Sequence, residues 1–412
     1  MTSLLDASST SRARAIAVEI GVRVADPGAY DAALDRLPPT QRSVSDLAFG
    51  YPGPAILASA LAQCGDGRWN AIAHEYLARA FAQESGLNGL YAGCSGLLFA
   101  MNVRSRRDPR YLSFAQRLAA RLAEFEHPSL DAASGLRLAT DYDIIGGLAG
   151  TLLAIAPHDR VFRDQALDFF EHLASTEDLA TWSVANTYEP DRYVDYGVAH
   201  GLSGVLGAVC AVTEPSERTV LKRRLISLVV EAALPVNSGS TAVRWPSKVG
   251  SVPRPLPQPG WCYGVPGIAT ILWMAAGQVG DDTVQGLALE AFECVARGIP
   301  AESALLDHGV CHGTAGAATL AGAIARESGS AVLATYAARR AEDVIAAFQP
   351  ALPFGYRAIL GGEAVDNPGF LTGAVGIATA LLYLCGDADP IWLHALGVPI
   401  ASLTGICGRS RR

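Results

Sequence analysis

The feature that most constrains the fold of this chain is a four-residue element, Gly-x-x-Gly, which recurs seven times. It stands at Gly50–Gly53, Gly93–Gly96, Gly147–Gly150, Gly201–Gly204, Gly264–Gly267, Gly313–Gly316 and Gly373–Gly376. The period is irregular, on the order of 50 residues, within the range of helical-hairpin repeats. A short apolar run follows each pair: Ala55–Leu61, Leu97–Met101, Leu152–Ile155, Val205–Val212, Ile268–Ala276, Ala317–Ala325 and Ile377–Leu384. Runs apolar on nearly every side describe helices buried all round. Between them lie stretches with one charged face: Tyr111–Phe125, Val161–Ser175, Glu217–Leu234, Thr283–Arg297 and Val332–Phe348. Their apolar spacing near i, i+3, i+4 and i+7 marks outer helices with one wet side. The alternation predicts an all-α fold, an α/α toroid (barrel) of seven helical-hairpin repeats with inner and outer helix rings. The glycines serve that architecture, because glycine permits positive φ and close helix approach. No linker divides the chain, so a single domain over residues 1–412 is expected. Asp178–Tyr196, Asn237–Gly260 and Pro350–Gly369 feed into pairs as long segments rich in Pro, Gly or Tyr. Such segments in a compact domain are functional or disordered.

Composition narrows the function. With 412 residues, 50% of them hydrophobic, the chain can bury a large core without disulfide staples. It holds eight cysteines, none in a CxxC pair, and Met1–Asp26 lacks the pattern of a secretory signal. Reduced thiols in a cytoplasm are the natural reading. The longest apolar candidates, such as Ile377–Cys385, fall short of the ~18–20 residues that span a bilayer. A net charge of −8 argues against a nucleic-acid partner.

Aligning the seven elements on their first glycine places reactive side chains in adjacent columns. One position back stand Phe49, Ala92, Gly146, His200, Tyr263, His312 and Thr372; two back stand Ala48, Tyr91, Ile145, Ala199, Cys262, Cys311 and Leu371. Repeat three adds Asp143, four residues before Gly147. Equivalent columns of a toroid lie at the same end of the ring, so these residues should converge on one mouth. Cys262, Cys311 and His312 suit Zn2+, one per chain, and three protein ligands leave a fourth position open, as catalytic zinc sites do. The other cysteines read as small buried hydrophobes. Two thiolates cancel the ion's charge, leaving a poor Lewis acid for carbonyls but a good holder of a third, substrate thiolate. Sulfur addition to an electrophilic alkene then needs a proton for the carbanion left behind, and His200 is the candidate donor. A buried, satisfied histidine is the competing reading. Asp143 can orient an imidazole or cap a turn, and Tyr263 can act or merely pack.

Tyr142-Asp143-Ile-Ile-Gly-Gly-Leu-Ala-Gly150, His200-Gly-Leu-Ser-Gly204, Trp261-Cys-Tyr-Gly264 and Cys311-His-Gly313 resemble the motifs of the lanthionine synthetase C-like family, from Asp46 to about Leu384. The resemblance implies the seven-repeat toroid and zinc on Cys262, Cys311 and His312, with Asp143, His200 and Tyr263 at the active site. It implies closure of thioether rings in lanthipeptide biosynthesis, by addition of peptide Cys thiols to dehydroalanine or dehydrobutyrine. A stand-alone chain resembles the class I cyclases. Its expected partners are a dehydrated precursor peptide as substrate, and a dehydratase and exporter in a complex. The expected location is the cytoplasm, with membrane association through those partners. One departure stands out: the family's usual arginine four residues before the first ligand cysteine is Gln258 here, and Arg254 is the candidate substitute.

Two rival functions share parts of this pattern. A zinc-dependent thiol prenyltransferase-like subunit is also an α/α toroid, with Asp, Cys and His ligands. A non-catalytic toroid could hold zinc while binding glutathione or a protein.

Overall fold

The computed structural model describes residues 2–38, 43–83, 88–124, 138–176, 178–185, 191–236, 243–250, 260–299, 305 and 307–400. Among these the α-helices, in chain order, are α1 (Ala7–Arg23), α2 (Pro27–Leu34), α3 (Pro52–Leu61), α4 (Arg68–Ala82), α5 (Cys94–Ser105), α6 (Leu112–Ala123), α7 (Leu148–Ile155) and α8 (Arg160–Ser175). They continue with α9 (Leu202–Val212), α10 (Thr219–Glu231), α11 (Val265–Val279), α12 (Asp282–Ala296), α13 (Thr314–Ser328), α14 (Ala331–Ala346) and α15 (Ala374–Leu384). Every Gly-x-x-Gly sits at the start of an odd-numbered helix from α3 onward. The apolar runs dictate their burial: every residue of α3, α7, α9 and α15 is buried. The even-numbered helices bury one face only, as Phe162, Ala166, Phe169, Phe170 and Leu173 do in α8.

The helices differ in how they begin. Side-chain caps start several outer helices, Asp159 on α8, Asp281 on α12 and Ser330 on α14, though not α4, α6 or α10. The buried helices α7, α9, α11, α13 and α15 take the first glycine of the motif as N-cap, with no side-chain cap bond. The second glycine is forced by a close approach. A Cβ on Gly376 would stand 1.7 Å from the carbonyl oxygen of Phe370, and on Gly316 1.9 Å from that of Val310. Gly150, Gly204 and Gly267 meet the carbonyl six residues back in the same way. Positive φ matters at only one motif glycine, Gly264 (φ 114°).

The chain falls into two compact units, each discontinuous. One comprises Met1–Leu87, Tyr91–Arg104 and Ser303–Trp392. In it α15 packs against α3, α13 and α1, while α4 covers α3 and α14 covers α13. The other comprises Asn88–Leu90, Ser105–Glu302 and Leu393–Arg412. In it α9 lies between α7 and α11, and α8, α10 and α12 cover them.

Two outer helices, α1 and α4, complete the alternation although the five amphipathic stretches read from sequence do not include them. α4 buries Trp69, Ala73, Tyr76, Leu77 and Ala80 at helical spacing. α1 buries mostly small residues, including Ser9, Thr10, Ala13 and Gly21, so its apolar stripe is faint. Of the three long segments, Asp178–Tyr196 forms a 3-10 turn (Leu179–Trp182) and two strands, Ser183–Val184 and Tyr193–Asp195. The latter strand pairs antiparallel with Lys248–Gly250. In Pro350–Gly369, Ala358–Leu360 and Glu363–Val365 pair as a hairpin. Much of Asn237–Gly260 lies outside the described residues. No described helix is long and apolar enough to cross a membrane.

Candidate active site

Backbone lacing explains why the glycine-aligned columns meet within each unit. The carbonyl two residues before the first glycine accepts N–H groups from the same turn of the preceding repeat. Ile144 donates to Ala199 (3.2 Å), Val198 and Ala199 donate to Cys262 (2.9 and 3.3 Å), and Val310 and Cys311 donate to Leu371 (3.1 and 2.9 Å). Phe370 donates to Ala48 (2.8 Å), which ties the last repeat to the first. Side chains one position before the glycine therefore project from turns held in register.

A buried carboxylate or amide stabilises most of these turns. Asp143 Oδ1 accepts the Gly146 and Gly147 N–H groups, both at 2.8 Å. Asp195 Oδ1 accepts from Gly197 (2.9 Å), Asp307 Oδ1 from Gly309 (2.9 Å), and Asn367 Oδ1 from Gly369 (2.8 Å). Asp46 is wholly taken up by the turn, through Ser43, Phe49 and Gly50. The other Asp residues have their second oxygen left for a side chain.

In the second unit those second oxygens meet the candidate catalytic residues. His200 Nδ1 lies 2.5 Å from Asp143 Oδ2, and Asp143 is fully buried. The His200 side chain retains 36% of its exposure, so its ring stays accessible while anchored. Burial lowers the imidazole pKa, but the bond and charge of Asp143, with Asp195 and Cys262, outweigh it and raise the pKa above its ordinary value. The Tyr263 hydroxyl donates to Asp195 Oδ2 at 2.9 Å. The Tyr263 and His200 rings lie 6.3 Å apart at 32°. Burial pushes the Asp195 carboxyl up to about 6, against the lowering effect of His200 and its hydrogen-bond donors. Burial, then Asp195, drives the Tyr263 hydroxyl well above its ordinary pKa, so it remains protonated.

Cys262 in the second unit, with Cys311 and His312 in the first, supplies a donor group of the kind that could hold a metal ion, two sulfurs and an imidazole nitrogen. The donor types fit zinc, which takes thiolate and imidazole ligands tetrahedrally. In the first unit, Asp307 Oδ2 lies 3.6 Å from His312 Nε2. It also accepts the Ile359 N–H at 3.3 Å. His308, an alternative ligand by type, does not join the group; its ring lies 5.8 Å from that of Tyr356. Arg254 and Gln258 lie outside the described residues.

Sequence reasoning missed Asp195 and Asp307. The signal was available: both stand six residues before the first glycine of their repeat, as does Asn367. Asp46 and Asp143 stand four before it.

The lanthionine synthetase C-like protein family matches residues 44–396. Among solved structures, the chain is similar to nisin cyclase at 17% sequence identity and a TM-score of 0.70, covering 92% of this chain and 97% of that one. No curated protein sequence matches the chain. The likeness shows the fold: an all-α toroid of helical hairpins with inner and outer helices. With the family matched over most of its length, the chain belongs to the lanthionine synthetase C-like family.

Proposed function

We propose that this protein is a zinc-dependent peptide cyclase that forms lanthionine and methyllanthionine rings, working as one toroidal domain. Cys262, Cys311 and His312 carry this reading, since two sulfurs and an imidazole are the donor types of a thiol-activating centre. The name of its structural relative, nisin cyclase, points the same way. The proposed substrate is a precursor peptide whose Ser and Thr residues have been dehydrated. A dehydratase and an exporter are proposed partners in the cytoplasm.

In ring closure a peptide S–H adds across a dehydroalanine or dehydrobutyrine C=C bond. Sulfur bonds to the β-carbon and one proton goes to the α-carbon, so no mass is gained or lost. Zinc, when bound, would lower the pKa of a thiol and keep its sulfur nucleophilic. His200 is assigned the α-carbon proton. With Nδ1 committed to Asp143, Nε2 is the nitrogen left to carry it. Asp143 holds the ring's orientation and favours its charged form. The Tyr263 hydroxyl, fixed on Asp195, forms a polar wall beside that imidazole. Arg254 is assigned the anchoring of a substrate carboxylate, in place of an arginine at position 258.

The test is incubation of a dehydrated precursor peptide with the zinc-loaded protein, followed by thiol alkylation and mass spectrometry. Loss of alkylatable thiols at constant peptide mass is expected. Thiols that persist at the level of an enzyme-free control would remove the cyclase reading in favour of a zinc-holding binder.

A further inference from the structure

Asp195 is a fully buried carboxylate that neither its turn nor the proposed chemistry requires on its face. Its turn needs only one acceptor, the Oδ1 that takes the Gly197 N–H. The seventh repeat makes the same bond with an amide, where Asn367 Oδ1 takes the Gly369 N–H and Nδ2 donates to Thr372 Oγ1 at 2.9 Å. An uncharged residue thus serves this turn position within the same chain. Burying a carboxylate instead costs desolvation free energy, which a neutral amide avoids. That cost points to a use for the second oxygen.

Three contacts show what Asp195 does. Oδ2 accepts the Tyr263 hydroxyl at 2.9 Å. Gly197, held by the first oxygen, forms the floor beneath that ring: a Cβ there would stand 2.5 Å from Tyr263 Cδ1. Asp195 itself ends the Tyr193–Asp195 strand, whose pairing with Lys248–Gly250 fixes its backbone. One residue therefore grips both the hydroxyl end and the supporting face of the ring that neighbours His200.

We propose that Asp195 is a positioning residue of the active site, holding Tyr263 against His200 through its two carboxylate oxygens. Its role in turnover rests on the cyclase reading; the contact itself does not. Asp195→Asn is the informative variant, because Asn367 shows that the amide supports the turn. The amide would present an N–H to the Tyr263 oxygen and so turn its hydroxyl away.

The experiment combines a spectroscopic and a kinetic readout on the full-length, zinc-loaded protein. With 3-fluorotyrosine placed at position 263, Asp195→Asn should shift the 19F resonance while leaving zinc content and far-UV circular dichroism unchanged. In ring closure of a dehydrated precursor peptide, Asp195→Asn should lower kcat about tenfold or more with KM within twofold, as misplacement of a catalytic element does. Tyr263→Phe should do the same, and the double variant should be no worse than the poorer single one. An unmoved 19F resonance, a kcat within twofold of wild type, or losses that multiply in the double variant would each overturn the proposal. If the wild type closes no ring, the cyclase reading falls while the 19F shift alone decides whether Asp195 positions Tyr263.

Discussion

Two carboxylates act on His200, and only one touches it. Asp143 bonds Nδ1 directly, whereas Asp195 acts at longer range through its charge. Burial opposes the charged imidazole, yet together these groups hold the folded-state pKa above 6.5. The sign of the pH effect follows. His200 is a charged proton donor at low pH and loses that proton as pH rises through its raised value, so ring closure should decline on that alkaline limb. The same pair stabilises the fold fully below about pH 6.5, an effect lost as pH rises through the folded-state value. Asp143→Asn removes the bonded partner, and the alkaline limb of the pH–rate profile should move to lower pH; an unmoved limb would free Asp143 of this role. His200→Asn should retain zinc while slowing ring closure by about 10²–10⁴-fold, the usual share of general acid–base catalysis. Zinc lost from that variant, by elemental analysis, would make His200 a ligand instead. At this scale Cys262, Cys311, His312, His200 and Tyr263 were readable because the glycine register put them in two columns. Asp195 and Asp307 escaped because turn carboxylates sit at two different offsets, four and six residues before the glycine. Only folding shows which oxygen remains for chemistry.

The helices owe their starts to the second motif glycine, and this makes its substitution costly. At Gly376 an added methyl would meet the Phe370 carbonyl oxygen at 1.7 Å, a backbone atom that no rotamer change can swing aside. Gly376→Ala should lower stability by roughly 3 kcal/mol or more, at or above the range for overpacking. Gly286, exposed in the middle of α12, has nothing within 4 Å of its would-be Cβ. Gly286→Ala should raise stability by about 0.5–1 kcal/mol through helix propensity. Urea denaturation of the two variants checks both, and equal effects would contradict the packing account. The buried helices were legible from their apolar runs, and the five amphipathic stretches from their periodicity. α1 was not, since its stripe of Ala13, Ile16, Ala17 and Ile20 is short and the buried Ser9, Thr10 and Gly21 beside it dilute the apolar signal. Its outer position comes from packing on α15.

Across the whole molecule, the fold and the metal group make separable contributions. The buried helices carry their own apolar core, so the metal should be dispensable for folding. Cys311→Ala should lose stoichiometric zinc and ring closure yet keep wild-type far-UV circular dichroism and cooperative unfolding; collapse of the variant would make the zinc structural. The repeat count and the alternation of helix types came from the sequence because both recur. The division into two compact units did not, because each unit is assembled from segments far apart in the chain. The central claim is that the protein adds a peptide thiol across a dehydroamino acid and supplies the α-proton from one face. Ring closure in D2O, followed by mass spectrometry and chiral analysis of the hydrolysed rings, tests it most directly. The proposed mechanism predicts one carbon-bound deuterium per ring, at the α-carbon and in a single configuration, with wild type far faster than His200→Asn. Rings formed only at the enzyme-free rate, or deuterated in both configurations, would contradict it.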